Sequence, residues 1–199
     1  MAGSPSRRHL VEGVDRADSW AADGHKLLNV PYDCGLVFCA NPAAHNAAMT
    51  ARAAYFEGAG KWARDAFDWT TESSRRARAF TVYAALRSLG RQGVAELVDR
   101  CCSRAQEFAT QISVLPGCTV LNDIVSNQVL FRFADDETTE AVLDSVQQSG
   151  EAWMAGTTWD GRPAIRLSVS NWRTSDEDVA RTVAAFEAAL AARAQPSAG

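Results

Sequence analysis

The sequence predicts a mixed architecture, in which an α/β portion is followed by an α+β portion. Short apolar runs and an alanine-rich helix in the first part are typical of the edge of an α/β sheet. After Pro116-Gly117 the pattern is strand, strand, helix, strand, strand, helix, which favours a mostly antiparallel sheet with helices. Two helices with apolar positions three or four residues apart connect these portions.

The α/β portion begins with a strand of mostly small residues at 17–22, which has Asp23–Lys26 at its carboxyl end. Ligands bind at that end of strands in α/β sheets. A second, buried strand is predicted at Leu36–Ala40 from its continuous apolar run. Asn41 and Pro42 then suit the cap and the first turn of a helix.

That helix is predicted to reach about Tyr55, and a loop continues to about Ser74. The connecting helices span Arg75–Leu89 and Val94–Ile112, because Gly90 ends the first of them. The later strands are predicted at Cys118–Leu121, Gln128–Phe133, Trp153–Trp159 and Ala164–Val169. The later helices are predicted at Thr138–Gln148 and from Ser175 onward, where Asp178 completes a capping box with Ser175.

Composition narrows the class of protein. The net charge is −4 with both signs interspersed, so the chain lacks the basic footprint of a nucleic-acid binder. No apolar run is long enough to span a bilayer, and no secretory signal is recognised. Five cysteines and three scattered histidines argue against a disulfide framework or a zinc site. We expect no metal, and reduced thiols in a cytoplasmic protein.

One stretch, Asp23–Cys34, carries chemistry, because it places a lysine next to a histidine among small and apolar residues. We expect Lys26, with Leu27 and Val30 close by, to be at least partly buried. Burial disfavours the ammonium form and lowers the pKa of the amine. A neutral amine is a nucleophile that forms a Schiff base with a carbonyl. The alternative is a partly buried structural lysine.

Several short blocks follow one another in order along the chain. They are Asp18–Ala21, Asp23–Lys26, Asn29–Gly35, Asp68–Thr70, Ser74–Arg78, Ala85–Gly90, Asn127–Val129, Gly156–Trp159 and Arg166–Trp172. Together these blocks resemble the group II pyridoxal-phosphate-dependent amino-acid decarboxylases, which include enzymes for aromatic amino acids, glutamate, histidine and diaminobutyrate. The resemblance covers nearly all of the chain.

The resemblance implies the C-terminal portion of a fold-type I enzyme that uses pyridoxal 5′-phosphate and decarboxylates an L-amino acid as a cytoplasmic homodimer. We therefore expect a truncated form, since the upstream cofactor-binding residues of the family have no counterpart here. The implied organisation is the end of the cofactor domain with the mobile loop at 1–74, connecting helices at 75–115, a small α+β domain at 116–193 and a frayed tail at 194–199.

The resemblance also implies roles for residues. Lys26 would form the Schiff base with the cofactor, and His25 would hydrogen-bond the cofactor phosphate. Asp23 would lie near the phosphate, where its charge is repelled, so the alternative is that it orients His25. Tyr55 would be the loop acid that protonates the substrate carbon after carbon dioxide leaves. A tyrosine that packs at a helix end is the alternative.

Ser74 would approach the phosphate of the neighbouring subunit, whereas the alternative is a solvated helix start. Arginine is unfavourable at the positive end of a helix dipole, so Arg75-Arg76 predicts a partner nearby. Two other functions stay open. One is a non-catalytic fragment or pairing module without a complete cofactor site. The other is different chemistry on the same fold, such as transamination or sulfinate loss, against which Asn29-x-x-Tyr32-Asp33-Cys34 argues.

Overall fold

The computed structural model of the chain describes residues 1–50 and 65–194. The strands are β1 Ser19–Asp23, β2 Gly35–Cys39, β3 Thr119–Val120, β4 Gln128–Arg132, β5 Ala155–Trp159 and β6 Arg162–Ser168. The α-helices are α1 Pro42–Met49, α2 Arg78–Ile112, α3 Asp136–Ser149 and α4 Asp176–Ala194. Short 3-10 turns occur at Arg8–Val11, Val14–Arg16 and Ala66–Trp69. The chain forms two compact units, Met1–Gln92 and Gly93–Gly199.

In the first unit, β1 and β2 form an antiparallel two-stranded sheet whose register pairs Asp23 with Gly35. The prediction of a buried second strand is wrong within the described residues, since Val37 and Phe38 are 59% and 43% exposed. The physical reason is that this sheet has only two strands, so its apolar side chains lack a covering layer. Trp20 stacks on Phe38 instead, with ring centroids 3.8 Å apart.

Helix α1 follows β2 directly, as predicted. The Ala44 N–H donates to the side chain of Asn41 at 3.0 Å, and Pro42 occupies the first turn, which confirms the predicted cap. The helix ends at Met49. Its predicted end near Tyr55 lies outside the described residues.

Two side chains of α1 hold the 3-10 turn Ala66–Trp69. His45 Nε2 lies 3.0 Å from the carbonyl oxygen of Trp69. The Asn46 side-chain amide donates to the carbonyl of Asp68 at 3.1 Å. The chain that leads toward α2 is therefore fastened to α1 before it reaches the arginines.

Helix α2 contains the break that the sequence predicts. Gly90 has φ 64° and ψ −176°, a conformation that side chains other than glycine rarely adopt. The helix begins at Arg78 rather than at the predicted Arg75. The Arg75 and Arg76 side chains, which precede it, donate to the Thr70 hydroxyl and to the Asp33 carbonyl. After the break, the buried face comprises Leu97, Val98, Cys101, Cys102, Ala105, Phe108, Ala109 and Ile112.

The second unit contains a four-stranded sheet in the order β3-β4-β6-β5, in which every neighbouring pair is antiparallel. This confirms the predicted strand, strand, helix, strand, strand, helix arrangement. Helix α3 packs against α4 and against β6. A cluster of buried phenylalanines fills the core, with ring centroids 5.4 to 6.4 Å apart: Phe108, Phe131, Phe133 and Phe186.

The five cysteines, all of which lie in the described ranges, are free thiols in this structure. Within residues 1–50 and 65–194, no group of three or more His, Cys, Asp or Glu side chains is arranged to hold a metal ion. In the same ranges, every helix is too short or too polar to cross a bilayer.

Candidate functional site

The connection from β1 to β2, residues 24–34, forms a closed loop that contains Lys26, and we call it the lysine loop. The Gly24 N–H donates to the Cys34 carbonyl at 2.8 Å and closes the loop at its base. Cys34 and Val30 are buried, at 1% and 5% exposure. A Cβ at Gly24 would lie 3.0 Å from Cys34 Sγ and 3.1 Å from Val30 Cγ2, so this position favours glycine. The loop thus packs on its own small residues.

Lys26 lies on a tight turn of this loop. Its N–H donates to the carbonyl of Asp23 at 3.2 Å. Its carbonyl accepts from the Asn29 N–H at 3.0 Å and from the Asn29 side-chain amide at 2.7 Å. Asn29 has φ 54°, a left-handed conformation that asparagine tolerates better than most residues. The backbone of Lys26 is therefore held on both sides.

The expected burial of Lys26 is wrong within the described residues, because its side chain is 64% exposed. The turn leaves Leu27 and Leu28 half-buried and leaves the lysine outside. Lys26 Nζ forms an ion pair with Asp23 Oδ2 at 2.6 Å. The hydrogen bond from Lys26 is the main reason that the pKa of Asp23 falls below its ordinary value of 3.8, with burial acting in the opposite direction.

His25 is held from the other side of the loop. The Cys34 N–H donates to His25 Nδ1 at 3.0 Å. Nδ1 also lies 3.1 Å from the Cys34 carbonyl oxygen, which accepts from the Gly24 N–H as well. The tautomer in which Nδ1 accepts from the Cys34 N–H carries its proton on Nε2. Nε2 lies 3.9 Å from Asp23 Oδ1, beyond hydrogen-bond distance. The side chain is 13% exposed and its ring lies 4.1 Å from that of Tyr32.

The structure brings together three of the predicted site residues, Asp23, His25 and Lys26. Ser74 is exposed, and within the part of the chain that the structure describes it makes no contact with these three. Tyr55 lies outside the described residues.

Residues that sequence reasoning did not assign to the site converge on Asp33, directly before Cys34. Arg78, the first residue of α2, donates from Nε to Asp33 Oδ1 at 3.0 Å and from Nη2 to Asp33 Oδ2 at 2.9 Å. Arg76 Nη2 donates to the Asp33 carbonyl at 3.0 Å. The hydrogen bond that Arg78 donates to Asp33 is the largest cause of a lowered Asp33 pKa. The same hydrogen bond is the largest cause of a raised Arg78 pKa.

One feature of the sequence indicated that the arginines at this helix start have a partner. Their unfavourable position predicts a partner, and Asp33 is that partner for Arg76 and Arg78. Arg75 instead donates to the hydroxyl of Thr70. The identity of the partner could not be predicted, because Asp33 and Arg78 are 45 residues apart.

A separate cavity of about 470 Å³ lies in the same unit. Its lining includes Val37 and Cys39 of β2, His45 of α1, and Trp69 and Arg75. None of Asp23, His25 and Lys26 lines it, so we place the candidate site at the lysine loop rather than in this cavity.

An exposed amine beside an oriented imidazole, on a loop at the end of a strand, defines a site for an electrophilic, anion-bearing ligand. A family model described as "Pyridoxal-dependent decarboxylase conserved domain" matches residues 1–134, which include this loop. The chain belongs to that family.

Curated relatives agree with this assignment, and a solved structure supports the fold. Phenylacetaldehyde synthase from Arabidopsis thaliana is 24% identical over 88% of this chain and 38% of that protein. Aromatic-L-amino-acid decarboxylase from Drosophila lebanonensis is 26% identical over 88% of this chain and 44% of that protein. The structure of Oryza sativa TDC with PLP and tryptamine has a TM-score of 0.88 and 19% identity, over 96% of this chain and 42% of that one. The predicted fold class is confirmed, and the chain spans less than half the length of each of these proteins.

The described residues fit pyridoxal phosphate in part. The Lys26 amine is accessible, as attack on an aldehyde requires, and His25 Nε2 is a donor suited to a phosphate oxygen. The Asp23 carboxylate does not suit a phosphate, because like charges repel. Its contact with Lys26 Nζ shows that it can act on the amine instead.

Proposed function

We propose that Lys26 is the cofactor lysine of a pyridoxal-phosphate-dependent enzyme that decarboxylates an L-amino acid. The observation that carries this proposal is the accessible Lys26 amine on a closed loop beside His25, inside the segment that matches the decarboxylase family. The same-fold alternatives of transamination and sulfinate loss have no such observation in their favour.

When bound, pyridoxal phosphate supplies an aldehyde and an electron-withdrawing ring that stabilises the carbanion left by loss of carbon dioxide. Lys26 Nζ, once the amine has lost its proton, would hold the cofactor through its aldehyde carbon, with release of water. Asp23 stabilises the charged amine and keeps it at the end of β1. His25, fixed through Nδ1 by the Cys34 N–H, presents Nε2–H to an anionic oxygen. Tyr55 and Ser74 remain candidates for the loop acid and for a phosphate contact.

The composition of the chain makes this proposal easy to test, because Lys26 and Lys61 are its only lysines. The 199-residue chain is incubated with pyridoxal phosphate, reduced with borohydride and mapped by peptide mass spectrometry. We expect the cofactor on the peptide that contains Lys26. A Lys26→Arg variant is expected to lose this label and to keep whatever label Lys61 carries.

Labelling of Lys61 in preference to Lys26, or equal labelling of both, would contradict the proposal. Lys61 and the terminal amine serve as internal references for nonspecific reaction with the aldehyde.

A second candidate reaction follows from the relatives, since one of them is a phenylacetaldehyde synthase. Loss of carbon dioxide, with oxidation of the amine-bearing carbon by dioxygen and release of ammonia and hydrogen peroxide, would then give an aldehyde in place of an amine. Product analysis with a panel of L-amino acids distinguishes the two, since an amine supports decarboxylation alone and an aldehyde supports the synthase reaction.

A third reading concerns the chain by itself. It spans 38% to 44% of the two relatives above, so it could act as a non-catalytic module that pairs with another chain. Failure of the chain to develop a cofactor absorbance band, together with equal labelling of both lysines, would favour that reading. A homodimer and a cytoplasmic location are part of the proposal, as is the division into 1–74, 75–115, 116–193 and 194–199.

A further inference from the structure

We propose that Arg78, assisted by Arg76, is a positioning residue for Lys26 that acts through Asp33. The inference rests on the proposed role of Lys26. It states that residues at the start of α2, in addition to the contacts within the lysine loop, hold that loop in position. The contacts that support it all lie within the first unit, Met1–Gln92.

The first step is the geometry at Asp33. Arg78 donates to both carboxylate oxygens and also, from Nε at 3.0 Å, to the backbone carbonyl of the same residue. Arg76 Nη2 donates to that carbonyl and, at 3.4 Å, to the Pro31 carbonyl. Two planar guanidinium groups therefore hold the backbone of 31–33 as well as one side chain. Lysine could not reproduce this fork of donors.

The second step leads from Asp33 to the lysine. The next residue, Cys34, is 1% exposed, donates to His25 Nδ1 and accepts from the Gly24 N–H. Gly24 and His25 directly precede Lys26. A shift of Asp33 therefore moves the two hydrogen bonds that set the position of Gly24 and His25.

The third step asks whether this is merely a surface ion pair, most of which contribute little. The Arg78 side chain is only 26% exposed, although this residue begins a helix. Its guanidinium contacts the carboxylate of Asp33, which lies 45 residues earlier in the chain. The Asp33 carboxylate also supplies the negative charge that the first turn of α2 lacks in its own sequence. Glu72 Oε2 also lies near Arg78, at 3.5 Å from Nη1, so Asp33 is the closer of two carboxylates that this arginine contacts.

The test uses two variants of similar side-chain size. Arg78→Lys removes the forked donors of the guanidinium, and Asp33→Asn removes the negative charge of the carboxylate. The first readout needs no cofactor: amide hydrogen exchange at Gly24 and Cys34 in the 199-residue chain. We expect exchange at both amides to accelerate about tenfold in each variant, since the loop opens more often. The second readout is the rate at which pyridoxal phosphate and borohydride label Lys26 relative to Lys61, expected to fall about tenfold.

The matched control is Arg87→Lys, an exposed arginine further along α2. It is expected to leave both readouts unchanged. In the Asp33→Asn/Arg78→Lys double variant, the effects are expected to be non-additive, because both changes remove the same contact. Additive effects would indicate independent roles and would contradict the inference.

Unchanged exchange at Gly24 and Cys34 in both single variants would overturn the positioning role. So would a Lys26 labelling rate that matches the Arg87→Lys control. Failure of the proposed function looks different, because the wild-type chain would then show no preference for Lys26 over Lys61. The exchange experiment keeps its meaning in that case, since it involves no cofactor.

Discussion

At the residue scale, the ion pair between Lys26 and Asp23 sets the state of the reactive amine. The two charged atoms are 2.6 Å apart across a tight turn, and the lysine is mostly exposed. A neighbouring carboxylate favours the ammonium form of an amine, whereas burial would favour the neutral form. In the proposed role, the amine has to leave its ion pair with Asp23 before it can attack a carbonyl.

We expect Asp23→Asn to increase the reactivity of Lys26 toward a small acylating reagent by roughly two- to fivefold at pH 8, because an exposed pair is partly screened by solvent. Peptide mass spectrometry measures the extent of modification, with Lys61 as the reference on the same molecule.

Asp18→Asn, an exposed change just before β1, is the control for the loss of a negative charge in this region. If Asp23→Asn and Asp18→Asn raise the reactivity of Lys26 equally, the effect comes from the overall charge of this region and not from the ion pair between Lys26 and Asp23.

At the element scale, the start of α4 shows how hydrogen bonds between residues close in sequence begin a helix. Ser175 and Asp178 form the predicted capping box: the Ser175 N–H and hydroxyl donate to Asp178 Oδ2 at 2.9 and 2.8 Å, and the Asp178 N–H donates to Ser175 Oγ at 3.2 Å. Shorter than the usual glutamate, the aspartate still reaches back. These contacts lie within four residues, which is why the sequence alone predicts them.

The capping box predicts a specific dependence of stability on pH. Hydrogen bonds from the Ser175 backbone and hydroxyl hold the pKa of Asp178 below its ordinary value of 3.8. The unfolded chain therefore binds this proton at higher pH than the folded chain does. The stabilisation is complete above pH 3.8 and is lost as the pH falls through the folded-state pKa.

We expect Asp178→Asn to reduce the free energy of unfolding at neutral pH and to flatten its decline in acid. Denaturant titrations between neutral and acidic pH measure both. Asp144→Asn, an exposed change on α3, provides the comparison. A decline in acid as steep as that of the wild type would show that Asp178 does not contribute in this way.

At the scale of the whole molecule, the two units differ in how they are stabilised. The second unit has a closed aromatic core, in which Phe131 is fully buried and contacts three other phenylalanine rings. The first unit relies on the closed loop and on the arginine contacts at Asp33, while Trp20 and Phe38 remain partly exposed.

Phe131→Ala is expected to reduce the free energy of unfolding of the second unit by about 3–5 kcal/mol, because it leaves a cavity in a packed core. Phe80→Ala makes the same chemical change at a position that is 73% exposed and is expected to cost less than about 0.5 kcal/mol. Circular dichroism in a denaturant series measures both. Equal losses would show that burial does not determine the effect.

The sequence alone determined the kinds of element, their order and several of their ends. Apolar periodicity, the Asn41 cap, the break at Gly90 and the capping box at Ser175 depend on residues a few positions apart, so the pattern of neighbours contains them. The ordered blocks from Asp18 to Trp172 likewise identified the decarboxylase family, since a resemblance in sequence does not depend on contacts between distant residues.

Only the tertiary structure decided which residues are covered and which distant residues meet. Apolar neighbours predict a buried Lys26, but the turn places the lysine outside and pairs it with Asp23. The partner of Arg78 is 45 residues away, and the four phenylalanines of the core come from α2, β4, α4 and the residue after β4. The physical reason is that spacing along the chain sets local conformation, whereas exposure and long-range pairing depend on how the finished elements pack.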